Sequence, residues 1–187
     1  YYADIARFVR FFVPPGHRVL EVGCRHTRYL DAAAPAVGVA VVLDAASKPA
    51  PAAAGRYAVY ALTESGWREQ GPFDYVILAD VLGKVPDAQL FLDALKPVLT
   101  PATRILVTNY SRVWHPLLKL AQMLGCKTRE PEESWLSYRD LLNLLDLSGY
   151  QAVRTMRRML LPVYVPLLSA ILNRLAVHLP GLRHLGL

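Results

Sequence analysis

The sequence predicts an α/β fold with a mostly parallel central sheet. Two observations carry that prediction. Short apolar runs alternate with segments of helical periodicity along the 187 residues. Several of those runs are apolar throughout, as strands covered on both faces should be. A third observation places a ligand on this fold: an acidic residue, a spacer and a glycine, Glu21 to Gly23, close the first run, as in nucleotide-type cofactor loops.

The elements follow in order. Ile5, Phe8, Val9 and Phe12 recur at helical spacing, so the opening segment is an amphipathic helix, ended by Pro14, Pro15 and Gly16. "RVLEV" (18–22) is the first strand and "AVGVAVVL" (36–43) the second. "AASKPAPAAAG" (45–55) reads as a surface loop, and "RYAVYAL" (56–62) as the third strand. "FDYVILAD" (73–80) is the fourth. Asp87 can cap a helix whose Leu90, Phe91, Ala94 and Leu95 face inward. "TRILVTNY" (103–110) is the fifth strand. "SYRDLLNLLDLSGY" is a complete helix, with Ser137 and Asp140 as a capping box, Leu141, Leu144 and Leu145 as a buried stripe, and Gly149 as its stop. "YQAVRTM" (150–156) then reads as a sixth strand. No good seventh follows, because "LLPVYVPLL" carries two prolines.

Composition narrows the class. The chain is 53% hydrophobic and 19% charged, yet no stretch supplies the ~18 uninterrupted apolar residues of a membrane span. Cys24 and Cys126 lie far apart and form no metal-type pair, as expected of reduced thiols in a cytoplasmic protein. The net charge of +6 is uneven. After Asp146 there is no acid, while Arg154, Arg157, Arg158, Arg174 and Arg183 remain. That tail suits an anionic surface such as a lipid headgroup, a phosphate-bearing substrate or nucleic acid, or equally a solvated face on a docked helix. The expected organisation is one domain over 1–187: an N-terminal helix (1–16), a core (17–156) and an apolar basic segment (157–187).

In parallel sheets of this kind, ligands bind beyond the carboxyl ends of the strands, where the strand order reverses. That rule puts residues 23–28, 40–44, 61–64, 79–84 and 109–115 on one rim.

The order of "RVLEVGC", "FDYVILADVLGKVPD" and "TRILVTNYS" resembles the class I S-adenosylmethionine (SAM) dependent methyltransferases. More narrowly, "EESWLSYRDLLNLLDLSGYQAVRTMRRMLLPVYVPLLS" and the segments around it are similar to bacterial methyltransferase domains found beside family 2 glycosyltransferases. The resemblance implies a Rossmann-like three-layer sandwich, a SAM cofactor and a small-molecule or sugar-type acceptor. It also implies that a closing strand follows "LPGLRHLGL" in the relatives, so the final strand is expected to be missing here. A glycosyltransferase association is implied by the same likeness. No nucleic-acid partner is expected, and the location is expected to be cytoplasmic, with contact to a membrane surface through 157–187.

The resemblance assigns residues as well. Glu21, Gly23, Cys24, Arg25, Asp44, Thr63 and Asp80 are the cofactor-binding candidates, and Asp80, Tyr110 and His115 are the candidates for positioning the acceptor or removing its proton. The chain departs from the family pattern at four places. Arg25 and Thr27 stand where the second and third loop glycines belong. Ala40 stands where the ribose-binding acid ends the second strand, and Ala61 where an acid meets the adenine. Two function classes are therefore carried forward: a SAM-dependent methyltransferase, and a degenerate methyltransferase fold that serves as a binding or scaffold domain.

Overall fold

A computed structural model describes residues 2–23, 27–47, 56–109 and 136–156 of the chain. They fall into two compact units, one within Tyr2–Val81 and Val85–Thr108, the other made of Leu82–Lys84 with Asn109 and 136–156.

The first unit carries the sheet. Its elements run α1 (Tyr2–Phe12), β1 (Arg18–Val22), α2 (Arg28–Ala33), β2 (Val37–Val42), β3 (Ala58–Ala61), α3 (Gly66–Glu69), β4 (Tyr75–Ala79), α4 (Ala88–Leu95) and β5 (Arg104–Thr108). The five strands pair in the order β3-β2-β1-β4-β5, all parallel. The chain winds outward from β1 to β3, then returns to lay β4 against the other side of β1. The switch in strand order thus lies between β1 and β4, where the Brändén rule puts a ligand.

The apolar runs explain the burial. Val19, Leu20 and Val22 of β1, Val39 to Val42 of β2, and Val76 to Leu78 of β4 are all buried, as strands covered on both faces are, and α2 packs on β1 and β2. Ile5, Val9 and Val13 from the opening segment and Leu30 and Ala33 from α2 are buried as well, and α1 packs on α2. Trp67 fills the core from α3, and Phe91, Leu92, Leu95 and Val98 do so from α4 and the 3-10 turn after it.

The α4 stripe differs from the expected one. Asp87 does cap the helix, accepting from the Leu90 N–H at 2.9 Å. Helix formation from Ala88 then puts Phe91, Leu92, Leu95 and Val98 on one face at i, i+1, i+4 and i+7. Leu90 and Ala94 fall outside that arc, and Leu90 is 67% exposed.

In the second unit, α5 (Tyr138–Leu147) has the expected capping box: Ser137 Oγ accepts from the Asp140 N–H, and the Asp140 carboxylate accepts from the Ser137 N–H. Gly149, at φ 79°, closes the helix in a Schellman motif, with Gly149 N–H on Asp146 C=O and Tyr150 N–H on Leu145 C=O. Leu141, Leu144 and Leu145 are half-buried rather than buried.

The sixth strand predicted over 150–156 does not form. Residues 151–156 have no ladder, and Val153 is 74% exposed. A strand needs a neighbour for its backbone groups and an apolar face to bury, and this stretch has only Val153 and Met156 to offer beyond Ala152. Tyr138 instead reaches Thr155 through its hydroxyl, 3.2 Å away. The segment 157–187, where the closing strand and the basic tail were considered, lies outside the described residues. Among the described residues no helix is long and apolar enough to cross a membrane.

Candidate cofactor site

The site is the carboxyl rim of the sheet in the first unit, at the ends of β1 to β4. After β1 comes Gly23, at φ 82°. Its N–H donates to Val41 C=O at 2.8 Å, which ties the turn to β2. A Cβ here would sit 2.4 Å from Val81 Cγ2, so the glycine is required both by its left-handed backbone and by close packing. Cys24 and Arg25 lie outside the described residues. Thr27 has φ −65°, an ordinary value for an L-residue. The position expected to carry the third loop glycine therefore needs no positive φ here.

Glu21 does not reach the rim. It is the last but one residue of β1, paired with Ala40 and Ile77, and it is 0% exposed. Its Oε2 accepts from the Leu30 N–H at 3.1 Å, in the first turn of α2, while Oε1 has no partner. Thr27 makes no side-chain cap bond, so this carboxyl takes over part of the capping of α2 from below. Burial drives its pKa from 4.5 up to about 8; the Leu30 bond opposes the rise and the charge of Asp31 adds to it. Glu21 is thus a buried support of the turn. The structure gives it no open side on which to meet a cofactor.

Strand β2 runs two residues past Ala40, which is buried in mid-strand against Glu21 and Val59. The position expected to hold the ribose-binding acid is therefore not a strand end at all. Asp44 is the first acid beyond the true end. It is exposed, and its Oδ1 accepts from the Ala46 N–H at 3.1 Å in a local turn.

Strand β3 ends at Ala61, buried, and the chain turns at once: Glu64 N–H donates to Ala61 C=O, and Glu64 Oε2 accepts from Ala61 N–H at 2.9 Å. Thr63 and Glu64 are exposed and border an open groove of about 660 Å³, with Val59, Tyr60, Ser65 and Gly66 completing its lining. Thr63 was a sequence candidate, and Glu64, the nearest acid after the third apolar run, lies beside it just beyond Ala61.

Asp80 follows β4 directly. It is half-buried, at φ 55°, with its N–H on Thr108 C=O at 3.2 Å and its Oδ1 accepting from the Thr108 hydroxyl at 3.1 Å. Tyr110 and His115 lie outside the described residues, as do Trp114 and Trp135.

The rim thus combines a glycine turn with three carboxylates. SAM offers the complementary set: ribose hydroxyls, an amino group on the base, an ammonium and a positively charged sulfonium. The donor and acceptor chemistry of these residues fits that cofactor.

The methyltransferase domain pattern matches residues 1–155. The chain belongs to the methyltransferase domain family. Solved methyltransferases share its fold. A SAM-dependent methyltransferase from Thermotoga maritima superposes with a TM-score of 0.59 at 17% identity, over 81% of this chain and 71% of that one. One from Archaeoglobus fulgidus gives 0.58 at 15% identity, over 84% and 71%. The magnesium protoporphyrin IX methyltransferase of Synechocystis, with S-adenosylhomocysteine bound, gives 0.57 at 15% identity, over 83% and 74%. No curated protein matches this methyltransferase domain in sequence.

Proposed function

We propose that this methyltransferase domain binds SAM on the carboxyl rim and transfers its methyl group to a small-molecule or sugar-type acceptor. One observation carries the reading. Around the Gly23 turn, an acid follows each of the next three strands: Asp44 after β2, Glu64 after β3 and Asp80 after β4.

SAM supplies an already activated methyl group, so the protein's part is binding, orientation and exclusion of water. Gly23 lets the backbone come close to the ligand without a side chain in the way. Asp44 would accept from the ribose hydroxyls. Thr63 and Glu64 would border the base in the groove beside β3. Asp80 would accept from the ammonium group, and with Tyr110 and His115 it is a candidate to orient the acceptor or take its proton. Asp44 and Glu64 each donate no proton of their own and spend one carboxylate oxygen on a local turn. A carboxylate has about four lone-pair sites, so the one local bond leaves Asp44 capacity for a ligand.

Those same local bonds favour a second reading, a binding or scaffold domain that no longer takes SAM, since Asp44 and Glu64 are both engaged by their own turns. Calorimetric titration with S-adenosylhomocysteine separates the two. Saturable heat that weakens about ten-fold in Asp44→Asn supports the first reading. No heat at millimolar ligand selects the second.

The acid-free stretch after Asp146 supports contact with an anionic membrane surface. Co-sedimentation with vesicles tests it: pelleting should require anionic lipid, and equal pelleting with neutral vesicles contradicts it. A glycosyltransferase partner is proposed on the sequence resemblance alone, and co-purification tests it.

A further inference from the structure

Among the described residues, Ala34 and Asp80 are the non-glycine residues with positive φ. Ala34 has a local reason: it ends α2 in the left-handed conformation, its N–H on Leu30 C=O. Asp80 ends no helix. It follows a strand, in a conformation that a glycine would take without cost. Its side chain must therefore be of use there.

Two bonds from one residue hold Asp80. The Thr108 carbonyl accepts its N–H, and the Thr108 hydroxyl donates to its carboxylate. Thr108 pairs with Ala79 in the β4–β5 register and is half-buried. Valine would serve that strand position equally well, because both residues are β-branched. The hydroxyl is needed for Asp80, not for the sheet.

We infer that Thr108 is a positioning residue for cofactor binding. Its carbonyl anchors the left-handed turn and its hydroxyl fixes the carboxylate of Asp80 at the rim, next to the switch in strand order. This inference rests on the SAM reading above. It adds a residue from β5 to a site otherwise built from the ends of β1 to β4.

The test is calorimetric titration of the purified chain with S-adenosylhomocysteine. Thr108→Val should weaken binding about ten-fold, the effect of removing a hydrogen bond to a charged group. Thr108→Ser should stay within about two-fold of the wild type, because it restores the hydroxyl. In an Asp80→Asn background, Thr108→Val should add much less than in the wild type. If Thr108→Val does not fold, Thr108→Ala carries the same expectation. Equal weakening by Val and Ser overturns the inference, as does an undiminished effect in the Asp80→Asn background. Wild-type binding with Thr108→Val unchanged overturns this inference alone, whereas a wild type that gives no heat at millimolar ligand overturns it together with the SAM reading.

Discussion

The two rims of the same sheet are built differently. At the amino rim, polar side chains lock neighbouring strands together. Asp74 accepts from the Arg18 N–H at 2.9 Å and lies 3.3 Å from His17 Nδ1. The Arg18 guanidinium reaches back to the carbonyls of Pro72, at 3.0 Å, and Gln70. Thr103 donates to Phe73 C=O at 2.7 Å. At the carboxyl rim, Asp44 and Glu64 each accept a backbone N–H of their own turn, Asp80 accepts from the Thr108 hydroxyl, and Gly23 and Asp80 hold left-handed backbone. One rim uses its polar groups to fasten the sheet. The other holds its acids at strand ends, where a ligand can meet them. The difference teaches that polar residues of similar type fasten the sheet at one end of the strands and, on the proposed reading, serve binding at the other.

The contrast can be broken most forcefully at Glu21, which lies under the carboxyl rim. Its folded pKa, about 8, exceeds the ordinary 4.5, so the folded state holds the proton more tightly than the unfolded state. The stability from this group is fully present below about pH 4.5 and is lost as pH rises through about 8. The loss is a few kcal/mol, ~5 at the upper limit. Glu21→Gln keeps an acceptor for the Leu30 N–H and removes the titration. Urea unfolding at pH 5 and pH 9 should show a smaller pH dependence in the variant; an unchanged difference contradicts the buried acid.

Gly23→Ala comes next. The left-handed φ and the 2.4 Å approach to Val81 together should cost about 2–4 kcal/mol and abolish cofactor binding. Stability within ~0.5 kcal/mol of wild type would show that the turn relaxes freely.

Asp74→Ala probes the amino rim and should cost about 1 kcal/mol while leaving binding of S-adenosylhomocysteine intact. Its pH signature runs opposite to that of Glu21. The Arg18 N–H, with smaller help from His17 and Arg18, holds the Asp74 carboxyl below its usual value of 3.8. Its stabilisation is therefore present above that value and is lost as pH falls through the depressed pKa. An acid-side melting series of wild type and variant should converge only at the lowest pH.

Much of the sheet was legible in the sequence, because buried parallel strands are continuous apolar runs and the glycine turn is a local signal. The cap at Asp87 and the box at Ser137 were legible for the same reason: their partners lie three residues away. The failures are non-local or short. α3 spans four residues and leaves no periodicity to read. The place of Ala40 in the middle of β2 rather than at its end follows from its pairing with β1 and β3. The outward turn of Leu90 depends on where α4 starts. The hold of Thr108 on Asp80 joins residues 28 apart across two strands, and no local pattern announces it.

The most direct test of the central claim is to map amide shifts on titrating S-adenosylhomocysteine into isotope-labelled protein. The account predicts shifts at Gly23, Asp44, Thr63, Glu64 and Asp80, with His17, Asp74 and Arg104 silent. Shifts centred on the amino rim, or none at saturating ligand, would contradict it.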